Sequence, residues 1–162
     1  MTLIPTDLHS TVLATHVASG TAALLLASVV LASGWRQDWT SPLGRAYVAA
    51  VCLVAFTALL LVTSTGSTLP PGVRALLGVV AVVTAAAAVR GLRIARRRPG
   101  DADWRPTHLR LMWGSVTSLV SAVAVVSAPP ALWIAVIIAG TALTEYSYRR
   151  ARRGPVVHWS PT

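Results

Sequence analysis

The sequence has very little charge for its length. Only 12% of the 162 residues are charged and 54% are hydrophobic, whereas an ordinary soluble domain is roughly 25% charged. Five residues are acidic, and all fourteen basic residues are arginine, so lysine is missing altogether. This composition excludes an ordinary soluble domain and predicts an integral membrane protein.

Cysteine is almost absent as well. Cys52 is the single one and lies in an apolar run, so an intramolecular disulfide is excluded and the thiol is expected to pack in the core. The chain also lacks a phosphate-binding glycine loop, a catalytic triad, paired carboxylates and the spacing of a zinc site. No reaction can be assigned from the sequence, and a non-catalytic role is favoured over an enzyme.

Half of the arginines lie in one segment. Seven of the fourteen fall between Arg90 and Arg110, flanked on both sides by long apolar runs. Such a segment must lie in water or among lipid headgroups, and the positive-inside rule assigns it to the cytoplasm. Nucleic acid is not expected as a partner, because the arginines flank apolar runs and no separate soluble domain presents them.

The uncharged runs predict five membrane-spanning helices. Residues 111–144 carry no charge and would form one helix of about 51 Å against a hydrocarbon core of roughly 30 Å, so Pro129 and Pro130 are expected to divide them. The first ten residues lack the basic region of a secretory signal, so the first span is expected to be retained. The predicted spans cover residues 8–33, 46–64, 73–94, 107–128 and 131–148, and residues 149–162 form a basic tail.

Counting sides from the arginine segment gives the topology. Five spans place the N-terminus outside and the C-terminus inside, with thirteen arginines inside and only Asp7 and Arg74 outside. A four-span alternative, with one kinked helix over residues 107–148, would export the basic tail. We therefore expect one domain over residues 1–162, an all-α polytopic transmembrane helical bundle that is N-out and C-in in the inner (cytoplasmic) membrane.

Lipids are the expected partners of this bundle. Anionic headgroups should gather at Arg90–Arg110 and at Arg149–Arg153, where each arginine near the surface contributes about 1 kcal/mol of attraction. Assembly as a homo-oligomer or within a larger membrane complex is left open by the sequence.

Histidines are the candidates for chemistry inside the membrane, because ionisable groups in hydrocarbon are costly. His16 in the first span is the candidate intramembrane ligand, and His108 opens the fourth span. Histidines on facing helices are typical of a haem b site, but these two are expected about 16 Å apart along the membrane normal, more than one haem bridges. We expect no metal and no cofactor, with haem b as the alternative, and we expect His16 to hydrogen-bond a neighbouring helix.

Two helix faces stand out by their spacing. The first span is expected to pack inward through His9, His16, Gly20, Ala23 and Ala27, with Leu13, Val17, Leu24 and Leu31 towards lipid. The fourth span has a stripe of small and hydroxyl residues, Gly114, Ser115, Ser118, Ser121 and Ala122. This stripe would either line a polar path or let helices approach closely, with hydroxyls bonding the preceding turn. We expect packing.

Four polar residues are predicted at similar depth near the inner membrane surface. This candidate polar cluster comprises Arg45, Tyr47, His108 and Glu145. Glu145 has a nearby candidate partner in Arg149, one helical turn later in the favourable order. The alternative is that Glu145 or His108 meets Arg45 in a headgroup-level pocket for an anionic lipid or small ligand.

Three short motifs, taken in order, resemble an uncharacterised bacterial multi-span family. They are HVASGTAAL from His16, GRAYV from Gly44, and His108 with Met112 after the arginine-rich segment. The sequence is similar here to the domain-of-unknown-function family two-three-zero-six, over about residues 16–126. The resemblance implies a bacterial multi-pass membrane protein. It also implies a histidine just before the Gly-Arg pair, where this chain has Thr40 and Ser41.

Composition and spacing together favour an inner-membrane protein without an assigned activity, acting as an accessory or a small-ligand- or lipid-binding subunit. A b-type haem electron carrier and a small transporter are the alternatives. The lack of internal charge pairs and of an inverted repeat weighs against the transporter.

Overall fold

The structure, a computed structural model, describes residues 6–32, 42–64, 69–97, 104–127 and 129–153. Within these ranges it consists of five α-helices and contains no strand. They are α1 (Thr6–Ala32), α2 (Pro42–Thr63), α3 (Pro71–Arg97), α4 (Trp104–Ser127) and α5 (Pro130–Arg153). Each of the five is long and apolar enough to cross a membrane. The prediction of an all-α chain with five helices of this kind is confirmed.

Proline begins three of the five helices. Pro42, Pro71 and Pro130 occupy the first helical position, where a missing N–H costs no intrahelical hydrogen bond. Between α4 and α5, the carbonyl of Pro129 accepts a hydrogen bond from the backbone N–H of Leu132 at 2.9 Å. Residues 107–148 therefore form two helices, and the single kinked helix of the four-span alternative is not formed.

Each helix extends past its predicted span at one end or both, and α3 and α5 do so into arginines. α3 continues through Arg96 and Arg97, and α5 continues to Arg153, so the first part of the predicted basic tail is helical. Arginine is a good helix former, and its long side chain can carry the charge to water while its apolar stem stays against the helix. Residues 154–162 lie outside the described residues.

The first four helices form a ring, and α5 lies outside it. α1 packs on α2, α2 on α3 and α3 on α4, and a smaller contact between α1 and α4 closes the ring. In the described part of the chain α5 packs on α4 alone. Successive helices run antiparallel, so the ends of α1, α3 and α5 and the starts of α2 and α4 share one end of the bundle. We call it the arginine-rich end.

The core lies inside the ring and is built largely from small and branched side chains. Small residues let helices approach closely, which is how helices associate in a membrane, where lipid is as apolar as they are. Large apolar side chains on α1, α3 and α5 are exposed, as suits contact with hydrocarbon. The core residues are Ala23, Ala27, Tyr47, Val48, Val51, Val54, Ala88, Met112 and Leu119.

The inward face predicted for α1 agrees with the structure in most positions. Ala23 and Ala27 are buried, while Leu13 and Val17 are exposed. Leu24 is the exception, because it packs against the core instead of facing lipid. α1 contacts both α2 and α4, so its buried arc is wider than one stripe. The side chain of Leu31 lies outside the described residues.

Arg74 joins the start of α3 to the end of α2. Its Nε donates a hydrogen bond to the carbonyl of Val62 at 2.8 Å, and its Nη2 donates to the carbonyl of Ser64 at 3.4 Å. Carbonyls at the C-terminal end of a helix lack partners within that helix, and a basic side chain can satisfy them. Arg74 is therefore a C-terminal cap for α2.

Candidate functional site

Tyr47 lies in the core of the bundle, on the second turn of α2, with 1% of its surface exposed. Its hydroxyl oxygen lies 2.8 Å from Oγ of Ser115 on α4. Ser115 donates its single proton to the carbonyl of Met112 at 2.8 Å, so Tyr47 is the donor in the bond to Ser115. This bond joins α2 to α4 across the ring.

His108 is buried near the start of α4, with 2% of its surface exposed. Its Nδ1 donates a hydrogen bond to the carbonyl of Gly91 on α3 at 2.8 Å, since a carbonyl can only accept. A Cβ atom at Gly91 would lie 2.9 Å from Sδ of Met112, so glycine permits this close approach. The ring of Trp104 lies one turn earlier, with its centroid 6.4 Å from that of His108. His108 thus ties α3 to α4 at the arginine-rich end.

Arg45 and Glu145 lie in different surroundings from these two residues. Arg45 is exposed at the start of α2. Oε1 of Glu145 accepts a hydrogen bond from Nε of Arg149 at 2.7 Å, one turn later on α5. This is the nearer of the two partners considered from the sequence.

The hydrogen bonds described above lead from Tyr47, His108 and Glu145 to partners outside the predicted polar cluster. In the described ranges α2 and α5 do not contact each other, so the helix of Glu145 is not a neighbour of the helix that carries Arg45 and Tyr47. The cluster as a whole stays a prediction.

His16 forms a hydrogen bond with the neighbouring helix, as predicted. Its Nδ1 lies 3.0 Å from Oγ1 of Thr57 on α2. Thr57 donates its own proton to the carbonyl of Leu53 at 2.8 Å, so the arrangement that satisfies both contacts has the Nδ1–H of His16 donating to Thr57. His16 is half-buried and holds α1 against α2.

The two histidines lie at different depths in the bundle. His16 is sixteen residues before the end of α1, and His108 is four residues after the start of α4. At 1.5 Å per residue these positions are about 24 Å and about 6 Å from the arginine-rich end. Both axial bonds of one haem cannot span that offset. In the part of the chain that the structure describes, no three His, Cys, Asp or Glu residues form a group that could hold a metal ion.

The hydroxyl stripe of α4 divides between two roles. The expectation of helix packing holds for Ser115, which is fully buried. Gly114, Ser118 and Ser121 instead line an open cavity of about 350 Å³ between α3, α4 and α5. Its other lining residues are Val80, Thr117, Ile137, Thr141 and Thr144.

The position of α5 leaves this cavity uncovered. α5 approaches α4 closely at Gly140, where a Cβ atom would fall within 3.1 Å of three atoms of Thr117. α3 and α5 do not contact each other in the described ranges, so the flank of α4 between them stays open. Sequence spacing placed the stripe on one face of α4 but could not show whether a helix would cover it.

Tyr148 brings together arginines from two helices at the arginine-rich end. The guanidinium carbon of Arg110 on α4 lies 5.3 Å from the centre of the Tyr148 ring, and that of Arg152 on α5 lies 5.7 Å from it. Both distances are typical of cation–π contacts. Arg110 also interacts electrostatically with Glu145. Tyr148 was not singled out from the sequence; its spacing of one turn before Arg152 was the signal for this contact.

The arginine-rich end presents a strongly positive surface. All eleven arginines described there are exposed, and Glu145 is the single carboxylate described at that end. The eleven are Arg45, Arg90, Arg93, Arg96, Arg97, Arg105, Arg110, Arg149, Arg150, Arg152 and Arg153. Exposed guanidinium groups without carboxylate partners are suited to binding phosphate groups.

The described residues form five helices that are each long and apolar enough to cross a membrane, which fits an all-α membrane protein. A scan against protein-family models, a search of curated proteins and a search of solved structures each give no match. The resemblance to the domain-of-unknown-function family therefore stays a prediction. Thr40 and Ser41, where the sequence departs from that family, lie outside the described residues.

Proposed function

We propose that this chain is an N-out, C-in protein of the inner (cytoplasmic) membrane that binds anionic lipid headgroups and serves as an accessory subunit of a membrane assembly. The observation that carries the proposal is the set of eleven exposed arginines at one end of the bundle, with Glu145 as the single described carboxylate beside them.

The charge difference between the two ends supports the orientation. Of the twelve arginines that the structure describes, eleven lie at the arginine-rich end and Arg74 lies at the opposite end. The guanidinium of Arg74 bonds to carbonyls of α2. Short loops that are rich in arginine stay on the cytoplasmic side of the membrane. The arginine-rich end should therefore face the cytoplasm.

The exposed guanidinium groups support lipid binding. The cytoplasmic leaflet carries a negative surface potential, and each arginine near it contributes about 1 kcal/mol of attraction. These arginines come from four helices, α2 to α5, so headgroups can contact the whole end of the bundle. Bound headgroups would also offset the repulsion between the arginines.

Reporter fusions test the orientation. A reporter that is active only in the cytoplasm should work when fused after Thr162 and fail when fused after Ser67, between α2 and α3. A reporter that is active only outside the membrane should give the reverse pattern. Activity of the second reporter at Thr162 would refute the orientation.

Thermal unfolding tests the lipid binding. Phosphatidylglycerol added to the detergent-solubilised protein should raise its melting temperature more than phosphatidylcholine of the same chain length, because a ligand that binds only the folded state stabilises it. Raising the salt concentration should reduce the difference, since salt screens exposed charges. Equal effects of the two lipids at low salt would refute the proposal.

A further inference from the structure

We propose that one anionic phospholipid binds along α4 and α5, with its phosphate between Arg110 and Arg152 and one acyl chain in the cavity between α3, α4 and α5. This site rests on the proposed lipid-binding function and gives it a specific place in the fold.

The headgroup end of the site is set by Tyr148. Arg110 and Arg152 come from different helices, but both lie against the same ring. The separation of their two guanidinium carbons is therefore at most the sum of the two distances to the ring centre. A phosphate group accepts hydrogen bonds from guanidinium groups on more than one side. In the proposed site both long side chains turn from the ring of Tyr148 towards the same phosphate.

The nearby carboxylate does not cancel this charge. Glu145 is paired with Arg149 at 2.7 Å, and the other cation facing it is Arg110. Three guanidinium groups, those of Arg110, Arg149 and Arg152, accompany one carboxylate. The site keeps an excess of two positive charges. This excess matches the phosphodiester of one lipid together with a further anionic or polar group on the same headgroup.

The cavity begins one helical turn from this headgroup site, at Gly114 on α4 and Thr144 on α5. On α4, Arg110, Gly114, Ser118 and Ser121 follow one another at spacings of four, four and three residues, which places them on one face. The facing helix α5 runs in the opposite direction. One of its faces carries, at spacings of four, three and four residues, Tyr148, Thr144, Thr141 and Ile137. The distance from Arg110 to Ser121 is about 16 Å along α4, so an acyl chain can follow the groove from the headgroup towards the membrane centre.

The lining of the cavity suits hydrocarbon. Its surface is mostly apolar, and none of its eight lining residues is charged. Five of the eight carry hydroxyls: that of Thr144 donates to the carbonyl of Gly140 at 2.7 Å, whereas Oγ of Ser121 is buried and has no hydrogen-bond partner among the described residues. A charged headgroup would lose its hydration inside this cavity, whereas an acyl chain can fill the space between the helices.

Paired arginine substitutions test the headgroup site. Binding of dioleoyl phosphatidylglycerol to the purified full chain would be measured by native mass spectrometry. We expect R110A/R152A to weaken binding by roughly ten-fold. The matched control R93A/R150A removes the same charge at the same end. It should change binding by less than about three-fold, because Arg110 and Arg152, the two arginines against the ring of Tyr148, are kept.

Glycine substitutions test the acyl-chain site. A Cβ atom at Gly114 meets nothing within 4 Å, so Gly114→Leu should fill the groove without separating the helices. It should weaken binding of dioleoyl phosphatidylglycerol by roughly five-fold, because the chain loses its packing contacts. Binding of dihexanoyl phosphatidylglycerol should change less. Gly72→Leu, which replaces another glycine with open space around it, is the matched control and should leave both lipids bound as in the unchanged chain.

The possible outcomes separate this site from the general proposal. If R93A/R150A weakens binding as much as R110A/R152A, headgroups are held by the whole arginine-rich end; the lipid-binding function then stands and the specific site is overturned. An unchanged affinity in Gly114→Leu also overturns it. If the unchanged chain does not prefer phosphatidylglycerol to phosphatidylcholine, the proposed function fails as well.

Discussion

Tyr47 satisfies its hydroxyl inside the ring of helices and not at the membrane surface. An unpaired hydroxyl in an apolar interior is costly, and Ser115 on α4 supplies the partner at 2.8 Å. Polar bonds between helices in a membrane typically contribute about 0.6 kcal/mol each. The aromatic ring adds packing in the core, where Tyr47 is among the largest fully buried side chains.

Tyr47→Phe should lower the free energy of unfolding by about 1 kcal/mol or less, because Ser115 keeps its bond to Met112. Ser115→Ala should cost more, since it leaves the hydroxyl of Tyr47 buried without this partner. Chemical unfolding in mixed micelles measures both. The double variant should cost less than the sum of the single variants, and strict additivity would contradict an energetic role for this bond.

At the scale of helices, two glycines on the α4–α5 pair have opposite roles. Gly140 is needed for contact, because any Cβ atom there would overlap Thr117. Gly114 borders open space. The sequence does not distinguish the two positions, because the difference lies in the distance to the other helix.

Gly140→Ala should therefore destabilise the protein by about 1–3 kcal/mol through overpacking of α5 against α4. Gly114→Ala should be close to neutral or slightly stabilising, since alanine is the better helix former. The melting temperature in detergent measures both effects. Thr117→Ala should restore much of the stability lost in Gly140→Ala, and failure of this rescue would show that the contact is not the cause.

At the scale of the whole molecule, the four-helix ring is closed and α5 forms an edge. α5 contributes arginines to the arginine-rich end and one wall to the cavity, while its own outer face is exposed. Because α5 packs on α4 and on no other helix in the described ranges, the α4–α5 pair is where a lipid can reach between helices without opening the core.

The purified protein should be colourless. His16 and His108 lie about 18 Å apart in depth when each is counted at 1.5 Å per residue from the arginine-rich end, which is more than the two axial bonds of one haem can span. An absorption spectrum of protein purified from haem-replete cells, with and without dithionite, measures this. A Soret band that shifts on reduction would contradict the expectation and support the haem electron carrier.

The sequence alone determined the number of helices, their approximate limits and the end at which the arginines gather. These are local properties, because charge is excluded from hydrocarbon and a helix of known rise needs a known number of residues to cross it. Proline marked the break between α4 and α5 for the same local reason. The bond between Glu145 and Arg149 was also within reach, since it joins neighbours on one helix.

Only the tertiary structure decided which side chains meet. A position in the sequence fixes the depth of a residue along its own helix, but contact between helices depends on how each helix is rotated and on which helices are neighbours. Tyr47 thus bonds to Ser115 and His108 to Gly91, while Tyr148 lies between Arg110 and Arg152 of two different helices. The stripe on α4 was visible in the sequence, but the placement of α5 outside the ring made part of it a groove.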